Sequence, residues 1–426
     1  MWRNPKAGLL LSILMAASVW FYVQRVLIPY QKADAALHAR PRGILSDLYP
    51  RWLGTRELLL HHRDPYSPEI TREIQTGYYG RPLDPQRPED PRDEQRFAYP
   101  IYVAFLLAPT IGMPFAIVQT AGAWVLAFST GASVWLWLWA MRWQPSRAVI
   151  GTVLVLTVGS FAALQGIKLQ QLSLLVAAFM AGAAAALAAG YLVLAGVLLA
   201  IASIKPQLVV LPAGWLCLWA LSNWKERRNF LLGFLLSGLL LVAAGAYLLP
   251  GWLGEFFAGL SAYNRYTGGR SLLDDLTTPR LGAMLAVLLL IGAAVVCWKW
   301  RRAPAGSNEF NFALALALAV TVVVAPMIAP YNHLLLLPAV LLIARSRPGF
   351  WRRSRPTQVL WGGAGLIFFW SWLASLGLML ASTLWPASSV QQAWAVPLWS
   401  SLAVPLVVLG LLLVCIIDSA KGQRAA

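Results

Sequence analysis

Asp47, Tyr49 and Arg51 lie close together in the stretch ILSDLYPRWLGTRELLLHHRDPY, which runs from Ile44 to Tyr66. A positioned carboxylate can accept the proton of an attacking hydroxyl, and a nearby guanidinium favours its ionised form. The stretch opens a long polar excursion that reaches about Phe97, and almost everything after it is apolar. A chain of lipid-embedded helices must do its polar chemistry where a loop meets the bilayer surface, and this is the long loop available. Asp47, at its entrance, is therefore the expected general base.

Three further polar features interrupt the apolar sequence. They are Gln165 to Gln171 (QGIKLQQ), Lys205-Pro206-Gln207, and Tyr331-Asn332-His333 within APMIAPYNHLLLLP. Ionisable groups at span ends or within spans are costly, which makes them functional candidates. Each has a plainer reading. Asp47 can favour a helix N-terminus and pair with Arg51 at i+4. Lys168 and Lys205 can snorkel to the interface, and His333 can be a satisfied interhelical histidine. Asp274-Asp275 in SLLDDLTTP can cap a helix. His61-His62 read as a solvated helix end, because adjacent histidines do not share a face as metal ligands usually do.

The elements that must position these residues are membrane helices. Of the 426 residues 59% are hydrophobic and 12% charged, against about 25% charged in soluble domains. Apolar runs recur at lengths able to cross a hydrocarbon core about 30 Å thick. They are continuous rather than alternating, which excludes a β-barrel. The fold class is all-α, a polytopic membrane bundle of about twelve spans. The first span covers 7–28, a long loop 30–98, and the remaining bundle 99–417, all in one domain (1–426).

The net charge of +17 reports topology rather than nucleic acid. The loop holds 11 basic and 11 acidic residues, which leaves 23 and 6 for the rest of the chain. Those basic residues cluster in short linkers: Lys225/Arg227/Arg228, Lys299/Arg301/Arg302, and Arg345 through Arg355. Such linkers mark the cytoplasmic side and attract anionic membrane lipids. With both termini inside, the 30–98 loop and the connections at 165–171, 205–206, 250–280, 330–333 and 385–396 fall outside. This parity needs Tyr99 to Phe115 to be short or re-entrant. Arg3 and Lys6 before an apolar run resemble a signal peptide, though an uncleaved first helix is expected. Cys217, Cys297 and Cys415 read as core residues rather than a disulfide framework or a metal site. Phosphate-loop, dinucleotide and zinc-protease motifs are absent from the sequence, so a lipid-borne substrate is the natural alternative to a soluble nucleotide. No internal repeat is visible to favour a transporter.

The order of landmarks resembles glycosyltransferase family 87, the polyprenol-phosphate-mannose-dependent mannosyltransferases of the GT-C superfamily. The matching pieces are Asp47 early in the first loop, Asp64-Pro65-Tyr66, and Tyr99-Pro100 at re-entry. Gln170-Gln171, Lys205-Pro206 and Pro330 to His333 complete the set. Ile101 and Leu169 stand where the family pattern favours Pro and Gly. The resemblance implies a GT-C-like fold and transfer of a hexose, mannose, from a polyprenyl-phosphate sugar to a lipid or glycan acceptor, with inversion. The topology read from the basic linkers puts the expected reaction on the extracytoplasmic face of the inner (plasma) membrane. Asp47 is then the catalytic base. Lys205, His333 and Arg51 are the candidates to stabilise the departing phosphate. Tyr49, Asp64, Tyr66, Tyr99, Gln170, Gln171 and Asn332 are candidates to bind substrate. A monophosphate leaving group can be handled by such side chains, so neither metal nor cofactor is expected. Rival readings are a lipid or sugar flippase, and a metal-dependent oligosaccharide transferase that would use Asp274 and Asp275.

Overall fold

The structure, a computed structural model, describes residues 5–38, 41, 43–44, 46–84, 86–91, 93–326, 328–346 and 355–425. Side chains at 263–267, 356–357 and 420–425 are left out of the description. Arg3, Pro85 and positions 347–354 of the Arg345–Arg355 run lie outside the described residues.

The described residues are helical, with no strand among them. A first helix of 33 residues runs from Pro5 to Leu37. It comprises α1 (Pro5–Phe21), a π-helical turn (Tyr22–Leu27) and α2 (Ile28–Leu37). The polar excursion then folds as α3 (Leu48–His61) and α4 (Pro68–Tyr79). His62, in the left-handed region at φ 55°, ends α3. Ser67 caps α4 through Ile70 N–H at 3.3 Å, with Pro68 ideal for the first turn. Between them Asp64 Oδ1 accepts from Tyr66 N–H at 2.8 Å, a turn closed by its own side chain.

Re-entry is made by α5 (Val103–Leu107) and a 3-10 turn (Ala108–Thr110), too short to cross. They lead into α6 (Phe115–Ala140). Next come α7 (Arg147–Val158) and α8 (Phe161–Leu169), bent by 50° at their junction. Then follow α9 (Ser173–Ala188), α10 (Leu192–Ala202), α11 (Pro206–Leu221) and α12 (Trp224–Leu248). The connection to the next long helix folds as α13 (Trp252–Thr267) and α14 (Leu272–Leu276). After it come α15 (Pro279–Trp300), α16 (Asn308–Val324), a 3-10 turn (Pro330–Leu336) and α17 (Leu337–Ser346). The chain closes with α18 (Arg355–Ala381), the short α19 (Ala387–Gln392) and α20 (Ala403–Ala425).

Six helical stretches of the described residues are long and apolar enough to cross a membrane, or seven if α7 and α8 count as one bent span. Helices α9, α10, α11 and α16 are apolar but only 10–17 residues long. Two of these short helices form the centre. Helix α16 is buried almost without break from Phe310 to Val323, and α9 is nearly as enclosed. A helix apolar all round belongs in an interior. The long α12 and α15 are the reverse, with only 17% and 11% of their apolar windows buried. Leu235, Leu236, Leu239 and Leu240 on α12 and Met284, Leu288 and Ile291 on α15 face outward. A belt of that size in water would be an aggregation surface; in lipid it is ordinary. Helices α10 and α12 cross at glycines. A Cβ at Gly233 would stand 2.5 Å from Val193 O, and one at Gly196 would overlap Phe230 O. Small residues at such crossings let backbones approach.

The basic linkers gather at one end of the bundle. Arg227 donates to Trp219 O (2.8 Å), Arg301 O (3.0 Å), Arg302 O (3.1 Å) and Ala303 O (3.2 Å), and its guanidinium lies over Trp219. Arg345 donates to Met141 O at 3.0 Å, just past the end of α6. At the other end of α6, Phe115 meets Tyr49 edge-on at 4.9 Å. Twenty-six residues of α6 at 1.5 Å each put about 39 Å between these ends. The polar excursion and the arginine linkers thus cap opposite ends of the bundle.

Candidate active site

The site begins with a helix end. Gln170 terminates α8 in the left-handed region, at φ 54°. Gln171 N–H reaches back to Gly166 O at 2.8 Å. This turn aims the two adjacent glutamines differently. Gln170 accepts from Ser46 Oγ and donates to Gln119 O at 2.5 Å, tying the start of the polar excursion to α6. Asp47 N–H donates to Leu169 O at 2.8 Å in the same seam. The Gln171 amide points the other way and donates through Nε2 to Asp47 Oδ2.

Asp47 sits at the N-cap position of α3, yet its side chain makes no cap bond. The reason is local. Asp47 has helical φ and ψ (−69°, −5°), whereas a capping side chain needs an extended backbone. Pro50, at the third helical position, has no N–H to offer. Tyr49 N–H is already bonded to Ser46 O at 3.0 Å. Arg51 donates to the Asp47 carbonyl at 2.5 Å. The carboxylate is left to face the interior of the cluster.

Lys205 comes from the opposite direction. It precedes Pro206, the first residue of α11, and proline disfavours helical backbone in the residue before it. At φ −123°, ψ 79° its side chain turns inward. It is 7% exposed, and Nζ donates to Gln171 Oε1 at 2.7 Å and to Ser173 Oγ at 2.8 Å. One of the three ammonium donors remains for a ligand. The ammonium also lies 5.6 Å from the Tyr99 ring and 5.4 Å from the Tyr331 ring. Arg51 approaches the same Tyr99 ring at 4.6 Å. Tyr66 fixes this part of the chain by donating its hydroxyl to Tyr99 O at 2.6 Å.

Burial pushes the Asp47 carboxyl above its ordinary range, and nearby Asp93 adds to the effect. Arg51, Lys205 and the Gln171 amide pull it back. Asp93 is a member of the cluster that the sequence reading passed over. Its carboxylate accepts from Gln95 N–H (3.2 Å) and Gln95 Nε2 (2.8 Å), and its carbonyl from the Tyr79 hydroxyl (2.8 Å). The signal was the acidic end of the Pro-rich run, only six residues before Tyr99. Ser173, two residues beyond Gln171, was passed over too.

Not every expected site residue joins this cluster. Tyr49 packs between Trp52 and Phe115, its hydroxyl against Gly77. Asp64 closes the α3–α4 turn. His333 stands in the wall of an apolar cavity of about 490 Å³. Tyr331 and His333 are two residues apart on a 3-10 turn, with three residues per turn, so one faces Lys205 while the other faces the cavity. Asn332, between them, keeps a buried Oδ1 with no hydrogen-bond partner. The cavity is walled by α1, α7, α8, α17, α18 and α20, with Val153, Leu337, Val340, Phe368 and Val408 among its lining. On α18 it extends from Gln358 to Trp372, about 21 Å at 1.5 Å per residue.

No group of three or more His, Cys, Asp or Glu that could hold a metal ion occurs among the described residues. Asp274 is engaged with Ser271 in a capping box, and Asp275 pairs with Arg270 at 3.4 Å.

An all-helical bundle with lipid-facing helices and a buried carboxylate, amide and ammonium at one end is the frame of a membrane enzyme. Residues 97–330, more than half of the chain, match glycosyltransferase family 87. The protein belongs to that family and is a membrane glycosyltransferase. Tyr99, Gln170, Gln171 and Lys205 fall within the matched residues, whereas Asp47, Tyr49, Arg51, Asp64, Tyr66, Asn332 and His333 fall outside them. Comparison with curated proteins returns no match, and neither does comparison with solved structures.

Proposed function

We propose that the protein moves a hexose, mannose, from a polyprenyl-phosphate sugar to a hydroxyl of a lipid or glycan acceptor, with inversion at the anomeric carbon. The observation that carries this reading is the buried Asp47–Gln171–Lys205 cluster, set across one 3-10 turn from an apolar cavity. Asp47 accepts the proton of the acceptor hydroxyl as its oxygen attacks the anomeric carbon. The bond from that carbon to the phosphate oxygen breaks on the opposite face, and its electron pair leaves with the lipid phosphate. Lys205 and Arg51, both beside Tyr99, stabilise the charge that develops there. A raised carboxyl pKa suits Asp47 to this role, because a stronger base takes the proton more readily.

The cavity suits the isoprenoid tail, since its walls are apolar over most of its length and it lies beside the polar cluster. His333 is the polar group in its wall nearest in sequence to Tyr331, where the phosphate would enter. Tyr66, Tyr99, Gln171 and Asn332 are the remaining candidates to contact sugar or acceptor. Asp64, Tyr49 and Gln170 have structural partners that account for them. We read the chain as one GT-C-like domain, in which the four shorter apolar helices and α17 bring the crossings to about twelve. The polar excursion then lies on the extracytoplasmic side of the inner (plasma) membrane, opposite the arginine linkers.

The test is transfer from radiolabelled mannosyl polyprenyl phosphate by purified protein given a membrane-lipid extract as acceptor, with and without chelator. Labelled glycolipid formed in both conditions supports the reading. Translocation of the labelled lipid between leaflets without transfer would replace it with a flippase. Loss of transfer with chelator would point to metal-dependent chemistry.

A further inference from the structure

One amide stands between the Asp47 carboxylate and the Lys205 ammonium. Gln171 donates from Nε2 to Asp47 Oδ2 and accepts at Oε1 from Lys205 Nζ at 2.7 Å. Gln171 is 4% exposed, Lys205 7% and Ser173 1%, and Asp47 is partly buried, so water screens the pair far less than at an open surface. Opposite charges in such surroundings attract strongly. The amide stands between the ammonium and the carboxylate and bonds to both.

We infer that Gln171 is a positioning residue that holds Asp47 and Lys205 within electrostatic reach while preventing their collapse into a direct ion pair. The inference rests on Asp47 acting as the base and Lys205 as a phosphate ligand. A direct pair would disable both. The carboxylate would be held by the ammonium and would accept a proton less readily. The ammonium would be spent on the carboxylate and withdrawn from the departing phosphate. With the amide between them each charge is oriented and neither is consumed. Ser173 completes the arrangement by fixing the lysine from its other side, at 2.8 Å.

The charged and titratable groups around Asp47 come from several elements. Arg51 lies on α3, Lys205 at the head of α11, Tyr78 and Tyr79 on α4, and Asp93 in the strap that precedes re-entry. Of these groups among the described residues, Lys205 bonds to the Gln171 amide, so a change at Gln171 acts first on that pairing.

The experiment compares pH profiles of kcat and KM for wild type, Gln171→Met and Gln171→Glu. Methionine keeps the length of glutamine without its amide. Gln171→Met should lower kcat by about tenfold or more, part of the ~10²–10⁴-fold that a positioned base supplies. Its acid limb should move to lower pH, because a directly paired carboxylate titrates lower. KM for the donor should change less than kcat. Gln171→Glu should move the limb to higher pH, because a second carboxylate beside Asp47 opposes its ionisation. A structural role alone would lower yield and thermal stability while leaving the limb where it is in wild type. A folded Gln171→Met protein with wild-type kcat and an unmoved limb overturns the inference. Should that variant not fold, an unmoved limb in Gln171→Glu overturns it instead. If neither yields monodisperse protein, Gln171 belongs to the fold and the inference fails. Full activity in Asp47→Asn is a separate result, which would remove the base assignment itself.

Discussion

The Asp47 carboxylate accepts a hydrogen bond from the Gln171 amide, 124 residues further along the chain. That bond joins the polar excursion after the first helix to the turn between α8 and α9, and it ties the excursion to the residues that match the family. The candidate base thus lies outside the matched region but is held by a residue within it.

Asp47→Asn is the most direct consequence. Asparagine keeps the shape of the side chain and can still meet the Gln171 amide through its carbonyl oxygen, but it cannot accept the acceptor's proton. Transfer should fall by ~10²–10⁴-fold, while the thermal unfolding midpoint stays near wild type because no cap bond is lost. Purified variant that transfers sugar at close to the wild-type rate would falsify the base assignment.

The pH dependence follows from the same group. Burial raises the Asp47 pKa above its ordinary 3.8, and the ionised form is the active one. Activity should therefore be lost as pH falls through that raised value, at a higher pH than an exposed aspartate would give. Stability moves the opposite way. Between 3.8 and the raised value the folded protein holds a proton that the unfolded chain has released, so this group's contribution to stability falls as pH rises through that window. Measuring kcat and the unfolding midpoint over the acid range in one buffer series checks both directions.

Much of this cluster was legible in the sequence, because a carboxylate, a lysine and paired glutamines are conspicuous in an apolar chain. Their mutual arrangement was not. The opposite directions of Gln170 and Gln171 depend on a left-handed backbone at Gln170, which the sequence QQ does not announce. The plainer reading of Asp47 as a helix cap failed for a reason the sequence did contain, a proline at the third helical position. His333 was grouped with Lys205 because both are basic groups near membrane spans. The structure places it on a 3-10 turn, in the wall of the cavity. Asp93 was hidden in a run of prolines and charges that reads as solvated. The number of crossings was the least legible feature, since helices such as α9 and α16 are apolar throughout yet short of a full span.

Lys205→Met removes the ammonium while nearly preserving volume. Losing one preorganised donor to the leaving phosphate should cost about 10²–10³-fold in kcat. Lys205→Arg should recover only part of that activity, because a planar guanidinium cannot reproduce the compact contacts to Gln171 and Ser173. Steady-state kinetics of both variants decide the matter. Wild-type turnover in Lys205→Met would move the phosphate role to Arg51 or His333.

The two capped ends of the bundle give a topology prediction. Reporter fusions after Arg228 and Arg302 should read cytoplasmic, and fusions at Gly268 or within 81–93 should read extracytoplasmic. Arg227 bonds to Arg301 O and Arg302 O, so the first two fusions must agree with each other whatever the orientation. A reporter within 81–93 that reads cytoplasmic would invert the proposed side of the reaction.

The cavity is tested at Gly365, which lines it from α18 and has open space where its Cβ would stand. Gly365→Phe therefore starts its side chain without a backbone clash and directs a ring at the cavity wall. If the cavity holds the isoprenoid tail, the ring should raise KM for a long-chain donor several-fold. It should have far less effect on a donor shortened to one or two isoprene units, whose tail stops short of this level. kcat at saturation should stay near wild type, because Gly365 lies on α18, which carries none of the residues of the Asp47–Lys205 cluster. The comparison of the two donors carries the argument, since a general disturbance of the helix would slow both alike. Equal kinetics for both donors in wild type and variant would mean that the tail lies elsewhere on the bundle surface.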